Sequence, residues 1–267
     1  MINRLIYFGF FIIAYCTIIN SYALHFQIKN EWALSHHIAK FRHVEFNHSD
    51  LVEVYAVIFN HSPKARLYRQ PAIHQLEGEY LDAISQQEKF LVAINGGFYT
   101  PDFKPAGLYT EKGKHMTALA KNKLLATCIR IDKLQKIHLE KNRDACLGAD
   151  TAMQTGLSLI YDGKVNPDLA RLALKLPKLA DFFSQKRRSI LAETEDDKLI
   201  VLVTSPVKLE VIAALLQKFP QAFGVKKIKM ALTLDGGSSS SLLVKFPEAP
   251  FYFHEMLHVK TFIFFDA

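Results

Sequence analysis

The chain has 267 residues, with 33 Lys and Arg against 26 Asp and Glu and a net charge of +7. Its basic side chains are spread through the chain, Lys40, Arg69, Arg188 and Lys229 among them, with no long basic run and no nucleic-acid-binding motif. Nucleic acid is thereby excluded as the expected partner, and an anionic glycan, lipid or phosphodiester is favoured.

The first residues read as an export signal. Arg4 supplies a positive start, Leu5 to Ile19 is almost entirely apolar, and Ser21-Tyr22-Ala23 offers a cleavage site after Ala23. About 15 apolar residues fall short of the roughly 20 that span a bilayer, so no stable membrane span is expected after cleavage. This predicts a signal peptide over 1–23 and one exported domain, periplasmic or secreted, over 24–267. Cys16 leaves with the signal. Cys128 and Cys146, 18 positions apart, are expected to be bridged in an oxidising compartment, the alternative being two buried thiols.

Alternation over Phe41–Phe59 predicts two strands joined through Asn47-His48-Ser49-Asp50, and Lys64 to Arg69 reads as a solvated loop. Leu76 to Phe90 has near-helical apolar spacing and leads into a strand, Leu91–Ile94. That strand ends in Asn95-Gly96-Gly97-Phe98-Tyr99. Further hairpins are expected around Lys112-Gly113, Asp132-Lys133, Asp162-Gly163 and Asp196-Asp197. Pro167 to Lys186 reads as helical pieces broken at Pro177 and covering an edge, and Leu209–Phe219 is the best amphipathic helix. A buried strand, Met230–Leu234, stops at Asp235 and is followed by Gly236-Gly237 and four serines. Val259–Phe265 is apolar enough for a central strand. The predicted fold class is α+β: a single domain with a mixed or antiparallel sheet built largely of hairpins and two or three covering helices.

Two buried strands thus end in a short polar side chain and paired glycines, an arrangement that lets backbone approach a ligand. The segment Ala93–Tyr99, with Pro105 and Gly107-Leu108-Tyr109, Gln154-Thr155-Gly156, Asp162-Gly163-Lys164, Arg187-Arg188-Ser189 and Leu234–Ser240, resembles the phosphodiester glycosidase family. In order and spacing the resemblance runs over roughly residues 40–266. It departs from the family at Ala192, near a position that often holds Gly, and at Leu157-Ser158, where many relatives have Pro.

The resemblance implies hydrolysis of a sugar-1-phosphate phosphodiester or a related envelope or extracellular glycan. Such a reaction needs a carboxylate near the anomeric carbon and donors for the phosphate. Asp235 is the expected carboxylate, Arg188 the fixed cation, and Asn95 an amide that orients sugar or phosphate. Main-chain N–H groups of Gly96, Gly97, Gly236 and Gly237 are expected to converge on anionic oxygens. Ser238 and Ser239 would serve as hydroxyl donors. The second carboxylate is left among Asp102, Glu111, Asp162 and Glu193. No cofactor is required by any ligand cluster, although Asp235 and nearby oxygens leave room for a divalent cation. The alternatives are a glycan-phosphate or lipid-head-group binding module without turnover, and a zinc peptidase using His254-Glu255-x-x-His258. The zinc pattern works only on a helix, whereas here it precedes a strand-like run, so a loop near the rim is expected.

Overall fold

The computed structural model describes residues 24–34, 37–47, 49–70, 80–175 and 180–266. The expected signal peptide, His48 of the first turn, residues 76–79 of the expected helix and Pro177 lie outside them. The chain opens with β1 (His25–Leu34), β2 (Ala39–Asn47), β3 (Leu51–Phe59) and β4 (Ala65–Arg69), then α1 (Leu81–Gln87) and β5 (Val92–Asn95). Next come β6 (Tyr109–Glu111), β7 (Lys114–Thr117), β8 (Thr127–Ile131), β9 (Ile137–Glu140), β10 (Thr151–Thr155), β11 (Ser158–Tyr161) and β12 (Lys164–Val165). The helices α2 (Asp168–Lys175) and α3 (Ala180–Phe183) lead into β13 (Lys186–Thr194) and β14 (Leu199–Val207). After α4 (Leu209–Lys218) the chain closes with β15 (Ile228–Thr233), β16 (Leu242–Val244), β17 (Phe251–Phe253) and β18 (Thr261–Phe265).

All named strand pairs are antiparallel, but they form three sheets where a single sheet was expected. Eight strands run β1-β2-β3-β14-β13-β15-β11-β12, five run β7-β6-β10-β8-β9, and five run β17-β16-β5-β18-β4. The class is α+β, with four helices among the described residues.

Period-2 patterning explains the layering. On β13, Ile190 and Ala192 face a core shared with Ile212 and Leu216 of α4, while Leu191 faces the opposite core with Ile94 and Ile263. The central sheet is therefore covered on both faces, which is why Leu199–Val203 reads as an unbroken apolar run. A third core lies on the far side of β5 and β18, where Leu81 and Ile84 of α1 meet Phe262 and Phe264.

Hairpin turns close where sequence placed them: Lys112 and Asp162 adopt left-handed backbone, with φ of 50° at each, ahead of their glycines. Cys128 and Cys146 form a disulfide, Cα atoms 5.7 Å apart, tying β8 to the 3-10 turn Arg143–Cys146. Lys64–Arg69 corrects the expected loop. Residues 65–69 form the edge strand β4 because Ala65 and Leu67 bury beside β18, while Arg66 and Arg69 are half-buried, Arg66 lying over the Phe264 ring. Strands β1 and β17 were not anticipated. Val259–Phe265 does supply an interior strand, β18 lying between β5 and β4.

Candidate active site

The two strand ends singled out in the sequence meet. Asp235 donates its N–H to the Gly96 carbonyl at 3.1 Å. Asn95 is fully buried and uses its whole amide: Nδ2 donates to the carbonyls of Asp235 (2.8 Å) and Gly96 (3.3 Å). Its Oδ1 accepts from the Ser189 hydroxyl (2.6 Å) and the Ser241 N–H (3.1 Å). The side chain thus stitches β5, β13 and the Asp235–Ser241 segment together, and its polar atoms face protein partners. Gly96 is required by crowding, since a Cβ there would sit 2.4 Å from the Thr261 hydroxyl oxygen. The Gly96 N–H goes to the Thr261 carbonyl at 2.7 Å and that of Gly97 to the Met153 sulfur at 3.1 Å. These two N–H groups are engaged internally, contrary to the expected convergence on a ligand.

The Asp235 carboxylate opens on a cleft of about 280 Å³. Its walls include Phe98, Phe182, Lys186, Arg188, Gly236 and Gly237. Burial pushes the Asp235 carboxyl up to about 6; hydrogen bonds from Ser239 and the Gly236 N–H, and the Lys186 charge, pull it back down. Gly236 N–H donates to its Oδ1 at 2.9 Å. Gly237 adopts left-handed backbone (φ 63°) that starts the 3-10 turn Gly237–Ser239. Among the described residues, no chain acceptor takes the N–H of Gly237 or Ser238.

Two cations of β13 line the same cleft, and the charge of one, Lys186, acts on Asp235. Arg188 is buried, and three of its five N–H donors hold main-chain carbonyls: Nε that of Val207 (3.0 Å), Nη1 that of Phe182 (3.0 Å) and Nη2 that of Ser184. Burial pulls its guanidinium down to about 10, against the charges of Glu210 and Asp181. Lys186, two positions earlier and across a bulge, also lines the cleft and pairs with Asp181. Alternation along the strand could have named Lys186 together with Arg188. Asp181 was missed because its leucine-rich surroundings read as an edge cover. Asp102, Glu111, Asp162 and Glu193 do not line the cleft. Asp102 pairs with Lys104 at 2.8 Å, Glu111 sits in the β6–β7 ladder, Asp162 makes a turn, and Glu193 accepts the Leu139 N–H at 3.0 Å.

Tyr99 is a further residue that the motif contained but the reasoning left without a role. Its phenol lies beside Asp235 and Ser239, where burial and the Asp235 charge raise its pKa.

The His254–His258 pattern is not helical. Glu255 instead accepts the Leu81 N–H at 2.7 Å at the start of α1, and its other oxygen accepts the Tyr252 hydroxyl. His254 packs on Tyr252 and His258 on Tyr80, so the two rings do not share a face. The segment borders the site, since Met256 N–H donates to the Ser238 carbonyl at 2.7 Å.

Comparison with known proteins places the fold. The structure matches that of a hypothetical protein from Synechocystis with a TM-score of 0.59 at 15% identity, covering 85% of this chain and 61% of that one. It also matches the catalytic domain of zebrafish N-acetylglucosamine-1-phosphodiester alpha-N-acetylglucosaminidase, auto-inhibited by its pro-peptide. There the TM-score is 0.64 at 15% identity, with 91% of this chain and 88% of that one covered. No curated protein sequence matches the chain significantly. The sequence model of the phosphodiester glycosidases matches residues 88–265, more than half of the chain, which includes both strand ends and the cleft between them. This chain belongs to the phosphodiester glycosidase family.

Proposed function

We propose that the chain is an exported hydrolase that cleaves the glycosidic bond of a sugar-1-phosphate phosphodiester. The observation that carries the reading is one cleft lined by the buried-strand carboxylate Asp235 and by two cations, Lys186 and Arg188, with Asp181 paired to Lys186 at its edge. In the reaction the anomeric C–O bond breaks and its electron pair leaves with the phosphate. Water supplies hydroxyl to the sugar carbon and its remaining proton goes to solvent. Phosphate is a good leaving group, so a strong general acid is dispensable. Asp235 would stabilise or capture the oxocarbenium-like centre. Lys186, the free donors of Arg188 and the N–H groups of Gly237 and Ser238 would hold the phosphate. Ser239 holds the carboxylate, and Asn95 fixes the loop that presents it.

Export rests on the signal-like residues 1–23, with 24–267 as the mature chain; the Cys128–Cys146 bridge suits an oxidising compartment. No cofactor is needed for the steps above. The test is release of free sugar from α- and β-linked 1-phosphodiesters, N-acetylglucosamine among them, by wild type, Asp235→Asn and His254→Ala. Turnover that vanishes only in Asp235→Asn and survives EDTA supports the reading. EDTA sensitivity would add a divalent cation to it. A folded protein that binds these diesters without turnover would be a binding module instead.

A further inference from the structure

A second and larger depression, about 720 Å³, adjoins the cleft. Lys123 lines it, and the next residue, Leu124, lines the cleft. Leu157 in its wall donates its N–H to the Thr233 hydroxyl at 2.9 Å, and Thr233 lines the cleft. The two hollows share a wall on both sides.

We infer that this groove binds a second phosphate of the substrate, at least one glycosyl unit beyond the bond that is cut. The inference rests on the reading of the cleft given above and makes the substrate class a chain of glycosyl phosphates. Lys123, Lys141, Arg143, Arg171 and Lys175 line the groove, with Asp144 and Asp168 as its carboxylates among the described residues. Arg171 and Asp168 pair at 2.7 Å, which leaves four cations facing Asp144 alone. Arg143 is anchored by donating to the Asn122 carbonyl at 2.8 Å, and Lys141 Nζ stands 3.5 Å over the Tyr161 ring. Lys123 and Lys175 are exposed, with no carboxylate partner among the described residues.

Lysines elsewhere either meet a carboxylate, as Lys29, Lys40, Lys104, Lys198 and Lys227 do, or stand on the surface away from the groove, as Lys112, Lys114 and Lys133 do; the groove differs in gathering its cations around one hollow. One exposed lysine attracts an anion weakly through screening water, but several facing one hollow add their potentials. A single phosphodiester is already served by Lys186 and Arg188, so these cations have no task in a substrate with one phosphate.

The first arm of the test needs no turnover. Calorimetry would measure inorganic tripolyphosphate binding to wild type, to Lys123→Ala/Lys141→Ala/Lys175→Ala, and to Lys112→Ala/Lys114→Ala/Lys133→Ala. The last triple removes equal charge from exposed hairpins away from the groove. The expected result is at least tenfold weaker binding and a shallower salt dependence for the groove triple, against a change within twofold for the control. Equal loss in both triples, or none in either, overturns the inference. Tighter binding of trigalacturonate than of tripolyphosphate by wild type would also overturn it, as the groove would then prefer carboxylates. The second arm compares hydrolysis of a single phosphodiester with that of a three-phosphate glycan. The groove triple should keep kcat/KM within twofold on the first and raise KM about tenfold on the second. Equal effects on the two substrates refute the groove. Absence of turnover with the first arm intact refutes the hydrolase reading and leaves the anion site standing.

Discussion

Replacing Asn95 by Ala separates holding the site from touching the substrate. The amide is fully buried and makes four hydrogen bonds. Its loss strands the Ser241 N–H and the Asp235 carbonyl, while the Ser189 hydroxyl can rotate. Each orphaned buried group costs about 1–3 kcal/mol, so two of them, each near the middle of that range, should cost about 3–4 kcal/mol of stability. For a chain of this size that corresponds to a fall in Tm of roughly 6–16 °C. The assay is thermal unfolding by circular dichroism with the disulfide intact, supported by guanidinium titration. Asn95→Asp is the sharper variant, because a near-isosteric carboxylate would face two carbonyls. It should be at least as unstable at pH 7 and recover as acid protonates the new side chain. An Asn95→Ala protein with unchanged Tm but no turnover would refute the reasoning and make the amide a substrate contact.

Because folding raises the Asp235 pKa from 3.8 to about 6, its ionised form costs stability above pH 6 and nothing once it is protonated near pH 4. Asp235→Asn should therefore gain about 1–2 kcal/mol at pH 8, discounted for partial exposure, gain nothing at pH 4, and lose at least a thousandfold in kcat. In wild type, kcat/KM should rise with pH through about 6, and Lys186→Ala should move that limb upward by removing a charge that favours the carboxylate. Glu255→Gln should lower stability by about 1–2 kcal/mol through the α1 start and Tyr252, leaving zinc content at zero by metal analysis. Cys128→Ser/Cys146→Ser should cost about 3 kcal/mol in a guanidinium titration.

Much of the fold could be read because hairpins announce themselves locally. Alternation set β2 and β3, the Asp196-Asp197 turn set the β13–β14 hairpin, and the 3.6-residue pattern set α4 within a residue. What failed depends on distant partners. Residues 64–69 look like a charged loop, and only pairing with β18 turns them into a strand. Polar β1 likewise gains its conformation from β2. Division into three sheets depends on which hairpins stack, a matter of packing that no single window contains. At the site, Asp235 could be found because a carboxylate ending a buried strand is unusual. Lys186 could have been found from its place two positions before Arg188, but Asp181 could not, because an exposed charge carries no sign of the cleft it borders.

The residues that made the sequence recognisable divide into two kinds once their contacts are known. Asn95 and Gln154 are buried amides whose oxygen and nitrogen both face protein; Gln154 holds Leu108, Ala120 and Leu125 as Asn95 holds Asp235 and Ser241. They are positioning residues, because a loop rich in glycine and serine cannot fix a carboxylate by its own conformational preferences. Asp235, Arg188 and Gly237 are the second kind, lining the cleft. On the proposed reading a carboxylate must there coexist with an anionic phosphate, and burial alone would drive it to protonate. Cations on β13 offset both charges, and Arg188 is held by carbonyls, which leaves its charge unneutralised by direct pairing. Its guanidinium is therefore a fixed positive part of the cleft wall, and Lys186 is the cation whose charge acts on Asp235.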